Sequence, residues 1–175
     1  MRSATRGMAQ ALWAGVSLFM MASCGDPVPV APQALNADLC LNDFQTCVMP
    51  VLSGQIHRRG GAIVSCMDGN CHVAGGNGGR FTLGSDVSAN FEAVKSNFVN
   101  FASTHESLIL VEPTQDDVSP SAAAGSHGGG EIFPSRSDAC YLAIHNWISN
   151  QVTSQSSATC GLCAQVVNTF TDCGY

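Results

Sequence analysis

Apolar residues first recur at helical intervals at Phe44, Val48, Val51, Leu52 and Ile56, with Asn42 or Asp43 placed to cap, which predicts a first helix over about 44–57. Pro50 lies inside this run and removes a backbone donor, so a kink or a late start is expected there. His57 falls at the end of the run beside Arg58 and Arg59, where a cation suits the negative pole of the helix dipole. Glycines at 75, 76, 78 and 79 then exclude regular helix. The helical period returns through Phe91, Val94, Phe98 and Phe101, with Ser88 as the capping residue. Ser107 to Val111, "SLILV", is a short apolar run open to helix or strand and closed by Glu112-Pro113. Residues 114–136 read as a long polar, glycine-rich loop, the kind that serves a function or stays disordered. A last helix starts at Ser137 or Asp138 and runs to about Ser149, with Tyr141, Ile144, Trp147 and Ile148 as its apolar stripe and Cys140 on the same side.

The chain ends change the picture. Arg2 and Arg6 precede an apolar run from Ala9 to Met21, the layout of a bacterial export signal, and the run is short for a membrane span. Met21-Ala22-Ser23-Cys24 resembles the lipobox of bacterial lipoproteins, which implies an acylated Cys24 as the mature N-terminus, facing the periplasm from the cell envelope. Gly25 stands where an inner-membrane lipoprotein tends to carry aspartate, which points to the outer membrane. The division expected is a signal peptide over 1–23, a proline-rich tether over 24–38, one domain over 39–151, and a cysteine-rich tail over 152–175.

Two of the seven basic residues lie in the leader, leaving five against all thirteen acidic ones, a formal mature charge of −8. Nucleic acid is disfavoured as a partner, because its phosphates would be repelled. Nine cysteines less Cys24 leave eight in a compartment where disulfides persist. Cys160-Gly161-Leu162-Cys163 has redox-motif spacing but no strand-helix pattern ahead of it and no histidine after it, so structural disulfides are its expected use. No nucleophile elbow, His-Glu-x-x-His or lysine-bearing phosphate loop is present to suggest a hydrolase.

The chemistry concentrates in "CMDGNCH", Cys66 to His72. Covalent haem attachment requires two thiols to add to the two vinyl groups and an imidazole to reach the iron. A histidine directly after the second cysteine meets the stricter half of that need. The usual spacing has two residues between the cysteines, and here there are four. The stretch therefore reads either as a widened haem site, with two extra residues including the flexible Gly69 able to bulge out without moving His72, or as a disulfide loop beside a histidine. If Cys66 and Cys71 carry thioethers, six cysteines remain for three disulfides; otherwise four disulfides are possible. Zinc on Cys66, Cys71 and His72 is a weaker reading, since adjacent Cys71 and His72 suit a tetrahedral site badly.

Several pieces in order carry a family resemblance: Met49-Pro50-Val51-Leu52, the Cys66 to His72 motif, the glycines from Gly75, Glu106 to Leu110 with Pro113, His127-Gly128-Gly129-Gly130, and Tyr141 to Ile148. Together they resemble a class I c-type cytochrome domain of the kind found in planctomycete and related bacterial proteins. The resemblance implies an all-α, cytochrome c-like fold with the first and last helices crossing, and a disulfide between Cys47 and Cys140 where they pack. It implies one covalent haem c on Cys66 and Cys71, with His72 as proximal ligand and His127 as sixth ligand. The mature methionines, Met49 and Met67, lie before or inside the motif, away from the ligand loop. His105 and His145 are rival ligands that read as surface or packed residues, and His127 judged by its glycine neighbours alone reads as a solvated loop residue. The function implied is electron transfer between redox partner proteins, not enzymatic turnover. A haem-free, disulfide-stabilised lipoprotein domain with a binding or structural role is the alternative, and a haem enzyme or gas sensor would require an open iron position.

Overall fold

The run containing Phe44 is the middle of a longer helical stretch whose pitch changes twice. It comprises α1 (Leu41–Asp43), a π-helical segment (Phe44–Val48) and α2 (Met49–Ser53) in the computed structural model, which describes residues 37–76, 81–114, 127 and 130–175. Pro50 accounts for the wide turn. It has no N–H to give the carbonyl four residues back and its ring crowds that carbonyl, so the Met49 N–H reaches back to the Phe44 carbonyl instead. The stretch ends at Gly54, which turns to extended backbone, and a Cβ there would strike the Pro50 carbonyl and the Thr169 hydroxyl.

The chain then forms β1 (Ile56–His57) and β2 (Ile63–Val64), antiparallel, with Ile56 opposite Val64 and His57 opposite Ile63. Gly60 and Gly61 make the reversal at φ of 90° and 82°, a conformation in which a Cβ would be strained. This sheet overturns the all-α expectation and the cytochrome c-like helical fold that went with it: the described molecule is mixed α/β with short helices. His57 is accordingly a strand residue rather than a helix terminus. Its ring lies 4.5 Å from that of Phe170, and its carbonyl accepts from the Tyr175 N–H at 3.0 Å.

The second helix, α3 (Val87–Phe98), buries Phe91 and Val94 as its period predicts. Its cap is Asp86, which accepts from Ser88 and Ala89, so Ser88 sits inside the first turn rather than before it. A 3-10 turn (Thr104–Glu106) leads into α4 (Leu108–Val111), which resolves the "SLILV" run as helix. The last long helix, α5 (Ala139–Ser149), starts after Asp138 and buries Tyr141, Ile144, Trp147 and Ile148. A final turn, α6 (Thr169–Asp172), closes the tail.

The core sits where α5 packs on the first helical stretch. The Phe44 ring lies 5.2 Å from Trp147 and 5.5 Å from Phe91, and the Trp147 indole N–H donates to the Cys40 carbonyl at 3.0 Å. Each such side chain contributes roughly 1.5–3 kcal/mol by leaving water, and the indole hydrogen bond removes the cost of burying its one polar atom.

Three disulfides join the tail to this core: Cys40 to Cys160, Cys47 to Cys163, and Cys140 to Cys173. The Cys47–Cys140 pairing drawn from the family resemblance is therefore wrong; both residues bond to the tail. Cys160 and Cys163 diverge to different partners, which makes them structural. No helix among the described residues is long and apolar enough to cross a membrane. The leader, the tether and Cys24 lie outside the described residues.

Candidate functional site

Two consecutive turns shape the Cys66 to His72 loop. The Ser65 N–H donates to the Asp68 carboxylate at 2.8 Å, the Asp68 N–H to the Ser65 carbonyl at 3.1 Å, and the Cys71 N–H to the Asp68 carbonyl at 2.7 Å. The His72 N–H then closes on the Cys66 carbonyl at 2.9 Å. Asp68, Gly69 and Asn70 stand exposed outside this closure, and a Cβ on Gly69 would meet nothing. The two residues beyond the usual spacing therefore bulge into solvent and leave the ends of the motif together. Gly76 completes the curve, since a side chain there would collide with the Cys71 carbonyl.

Cys66 and Cys71 are the two free thiols among the described cysteines. Burial pushes the Cys66 thiol up to about 12, and neighbouring Cys71 adds to the shift. A thiol of that kind is protonated at neutral pH and behaves as a small apolar group. Cys66 and Met67 pack against the hydrophobic core.

His72 is held from a second strand-like segment. Its carbonyl accepts from the Leu83 N–H at 2.6 Å, its Nδ1 lies 2.9 Å from the Phe81 carbonyl, and its ring centre lies 4.6 Å from that of Phe81. That segment is fixed by buried Asn90 on α3, whose side-chain amide exchanges two hydrogen bonds of 2.8 Å with the Gly84 backbone. Asn90 also donates to Met49 Sδ at 3.6 Å, which places this methionine in a packing role.

His127 arrives from the other side. Its Nδ1 lies 2.7 Å from the Gly130 carbonyl, and the Gly130 N–H returns a bond to the His127 carbonyl at 2.8 Å. Gly130 adopts φ of 81°, and a Cβ on it would lie 3.0 Å from the Arg58 guanidinium. The next residue is tied to the end of β1 twice, by the Arg59 N–H to the Glu131 carbonyl at 2.9 Å and by the Arg59–Glu131 ion pair at 2.9 Å.

The two imidazoles meet. Their ring centres are 5.9 Å apart and their planes lie within 15°. A carbonyl can only accept, so each Nδ1 is the donor in its contact, which leaves Nε2 as the ring atom for ligation. Backbone anchoring of Nδ1 is the usual support for a metal-ligating histidine. Two imidazoles on opposite sides of one metal, each at about 2 Å, have ring centres roughly 6 Å apart. The donor set fits haem c in its chemistry and spacing: two unbonded thiols, a histidine directly after the second, and a second, near-parallel imidazole 5.9 Å from it. His105 and His145, the rival ligands, lie together elsewhere, on the 3-10 turn and α5.

The residues that fix both histidines carry little sequence signal. The Phe81 and Gly130 carbonyls belong to the backbone, and Asn90 appears in the sequence as a polar residue in an amphipathic helix. Arg58 and Arg59 were visible only as an adjacent basic pair. Among the described residues one three-ligand cluster occurs, Asp138 with Cys140 and Cys173. Its two sulfurs are bonded to each other and its carboxylate caps α5, so it does not offer a metal site. No family model, no curated protein and no solved structure matches the chain.

Proposed function

We propose that this protein is an electron carrier holding one haem c, with Cys66 and Cys71 as thioether residues and His72 and His127 as axial ligands. The observation that carries the reading is the opposed pair His72 and His127 beside the two cysteines that the disulfide pattern leaves unbonded. When bound, the haem supplies one-electron exchange between ferric and ferrous iron. With His72 and His127 both available, the iron would be held by two histidines, which favours electron transfer over turnover or gas sensing at an open site. The Phe81 and Gly130 carbonyls hold the rings in register, and histidine in place of methionine lowers the reduction potential. Cys24 anchors the chain by lipid in the bacterial envelope, with the domain facing the periplasm. Redox partner proteins exchange electrons with it there, the acidic mature surface suiting a basic partner.

The three disulfides favour a second reading, a haem-free lipoprotein domain stapled for binding or structure. A visible spectrum of protein matured in a host with haem-attachment machinery, repeated after denaturation and acid-acetone extraction, separates the two. The carrier reading expects a Soret band and reduced α-band that stay with the polypeptide, and His127→Ala converts the low-spin spectrum to a five-coordinate one. A polypeptide without bound haem and with Cys66 bonded to Cys71 overturns it in favour of the second reading.

A further inference from the structure

A second pair of imidazoles lies outside the site just described. His105, on the 3-10 turn, and His145, on α5, have ring centres 4.3 Å apart at an interplanar angle of 30°. We infer that His105 and His145 form a two-imidazole surface site for a borderline divalent cation of the Cu2+ or Zn2+ class.

The spacing differs from that of His72 and His127 in an informative way. Two imidazoles on neighbouring positions of one metal, each at about 2 Å, have ring centres roughly 4.5 Å apart, against roughly 6 Å for opposed positions. The His105–His145 separation matches the neighbouring arrangement, which leaves the rest of the coordination sphere to water. Ring orientation is fixed on both sides. His105 Nδ1 lies 2.9 Å from the hydroxyl of Tyr141, whose side chain is 2 % exposed and cannot swing away. His145 Nδ1 faces the Asn146 side-chain oxygen at 3.5 Å, a longer and weaker restraint. With each Nδ1 turned toward an oxygen, Nε2 is the ligating atom on both rings.

The helix supplies the rigidity. Tyr141 and His145 stand one turn apart on α5, which is pinned in the core by Tyr141 itself together with Ile144, Trp147 and Ile148. Accessibility is met too, since His105 is exposed and His145 half-buried. Imidazole nitrogen selects copper and zinc, whereas calcium and magnesium require oxygen ligands absent from this pair.

The test is a Cu2+ titration of the full mature chain by calorimetry and electron paramagnetic resonance, with Zn2+ as competitor. One site with hyperfine coupling to two nitrogens is expected. His105→Ala and His145→Ala should each weaken it at least tenfold, while His57→Ala leaves it unchanged. His105→Gln and His145→Gln, matched to wild type in thermal midpoint, serve if an alanine variant unfolds. Unchanged affinity in either the His105 or the His145 variant overturns the inference, as does wild-type binding no tighter than the double variant. If no haem is attached, the titration uses the His72→Ala, His127→Ala variant with Cys66 and Cys71 alkylated, so that this second donor set cannot take the probe.

Discussion

Asp138 shows how much one buried carboxylate can organise. Its Oδ1 accepts from the Cys140 and Tyr141 N–H groups at 2.9 and 3.2 Å, and its Oδ2 from the Gly174 N–H at 2.8 Å. It is therefore both the cap of α5 and the clamp on the chain's last residues. Burial raises its pKa despite these three bonds, each of which favours the charged form. A raised folded-state pKa means that the folded chain holds the proton more tightly than the unfolded one. The associated stability is full below about 3.9, the unfolded value, and is lost as pH rises through the folded value. Asp138→Ala should remove that acid-side decline in denaturant midpoint and cost about 1–2 kcal/mol at neutral pH through the lost cap. A variant as stable as wild type, with the same pH profile, would show that the carboxylate does neither job.

Between elements, the informative contact is the one from the end of β1 to the His127 loop. Arg59 is 59 % exposed, so its ion pair with Glu131 adds no more than about 1 kcal/mol to global stability. Its effect is local, because the same two residues also share a backbone hydrogen bond immediately after the His127–Gly130 turn. In haem-loaded protein, Arg59→Glu should speed carbon monoxide binding to ferrous iron several-fold by loosening His127, with little change in thermal midpoint. Adding Glu131→Arg should restore the slow rate, and a double variant as fast as the single one would argue against the contact. The sequence hid this arrangement. Strands of two residues carry no period, so Ile56 and His57 read as the end of a helix, although the Gly60-Gly61 pair after them is a hairpin signal. The longer helices α3 and α5 were legible because each spans about three turns with apolar residues at helical spacing, Phe91 and Val94 in one and Tyr141, Ile144, Trp147 and Ile148 in the other, and Asp138 stands at the start of α5. Cys66, Cys71 and His72 could be read as a group by adjacency. That His127 faces His72 depended on a family resemblance, since nothing local in a glycine-rich loop says where its histidine goes.

At the scale of the whole molecule, the disulfides decide how the tail behaves. Their connectivity could not be deduced from spacing, because six cysteines allow many pairings and only the fold brings the right sulfurs together. Cys140→Ser with Cys173→Ser opens a loop of sequence separation 33 and should cost about 2–4 kcal/mol in denaturant unfolding. It should also release Gly174 and Tyr175 from β1, detectable as faster amide exchange at Ile56 and His57; unchanged exchange there would show that β1 holds without the tail. The other two bonds, Cys40–Cys160 and Cys47–Cys163, have a different consequence. They turn the chain from Cys47 to Cys160 into an arc whose two ends are fastened together outside it. A protease that cuts anywhere along that arc leaves both halves covalently joined, so a nicked molecule travels as one piece until a reductant reaches it. In an oxidising compartment shared with proteases, this protein can be cleaved without being dismantled.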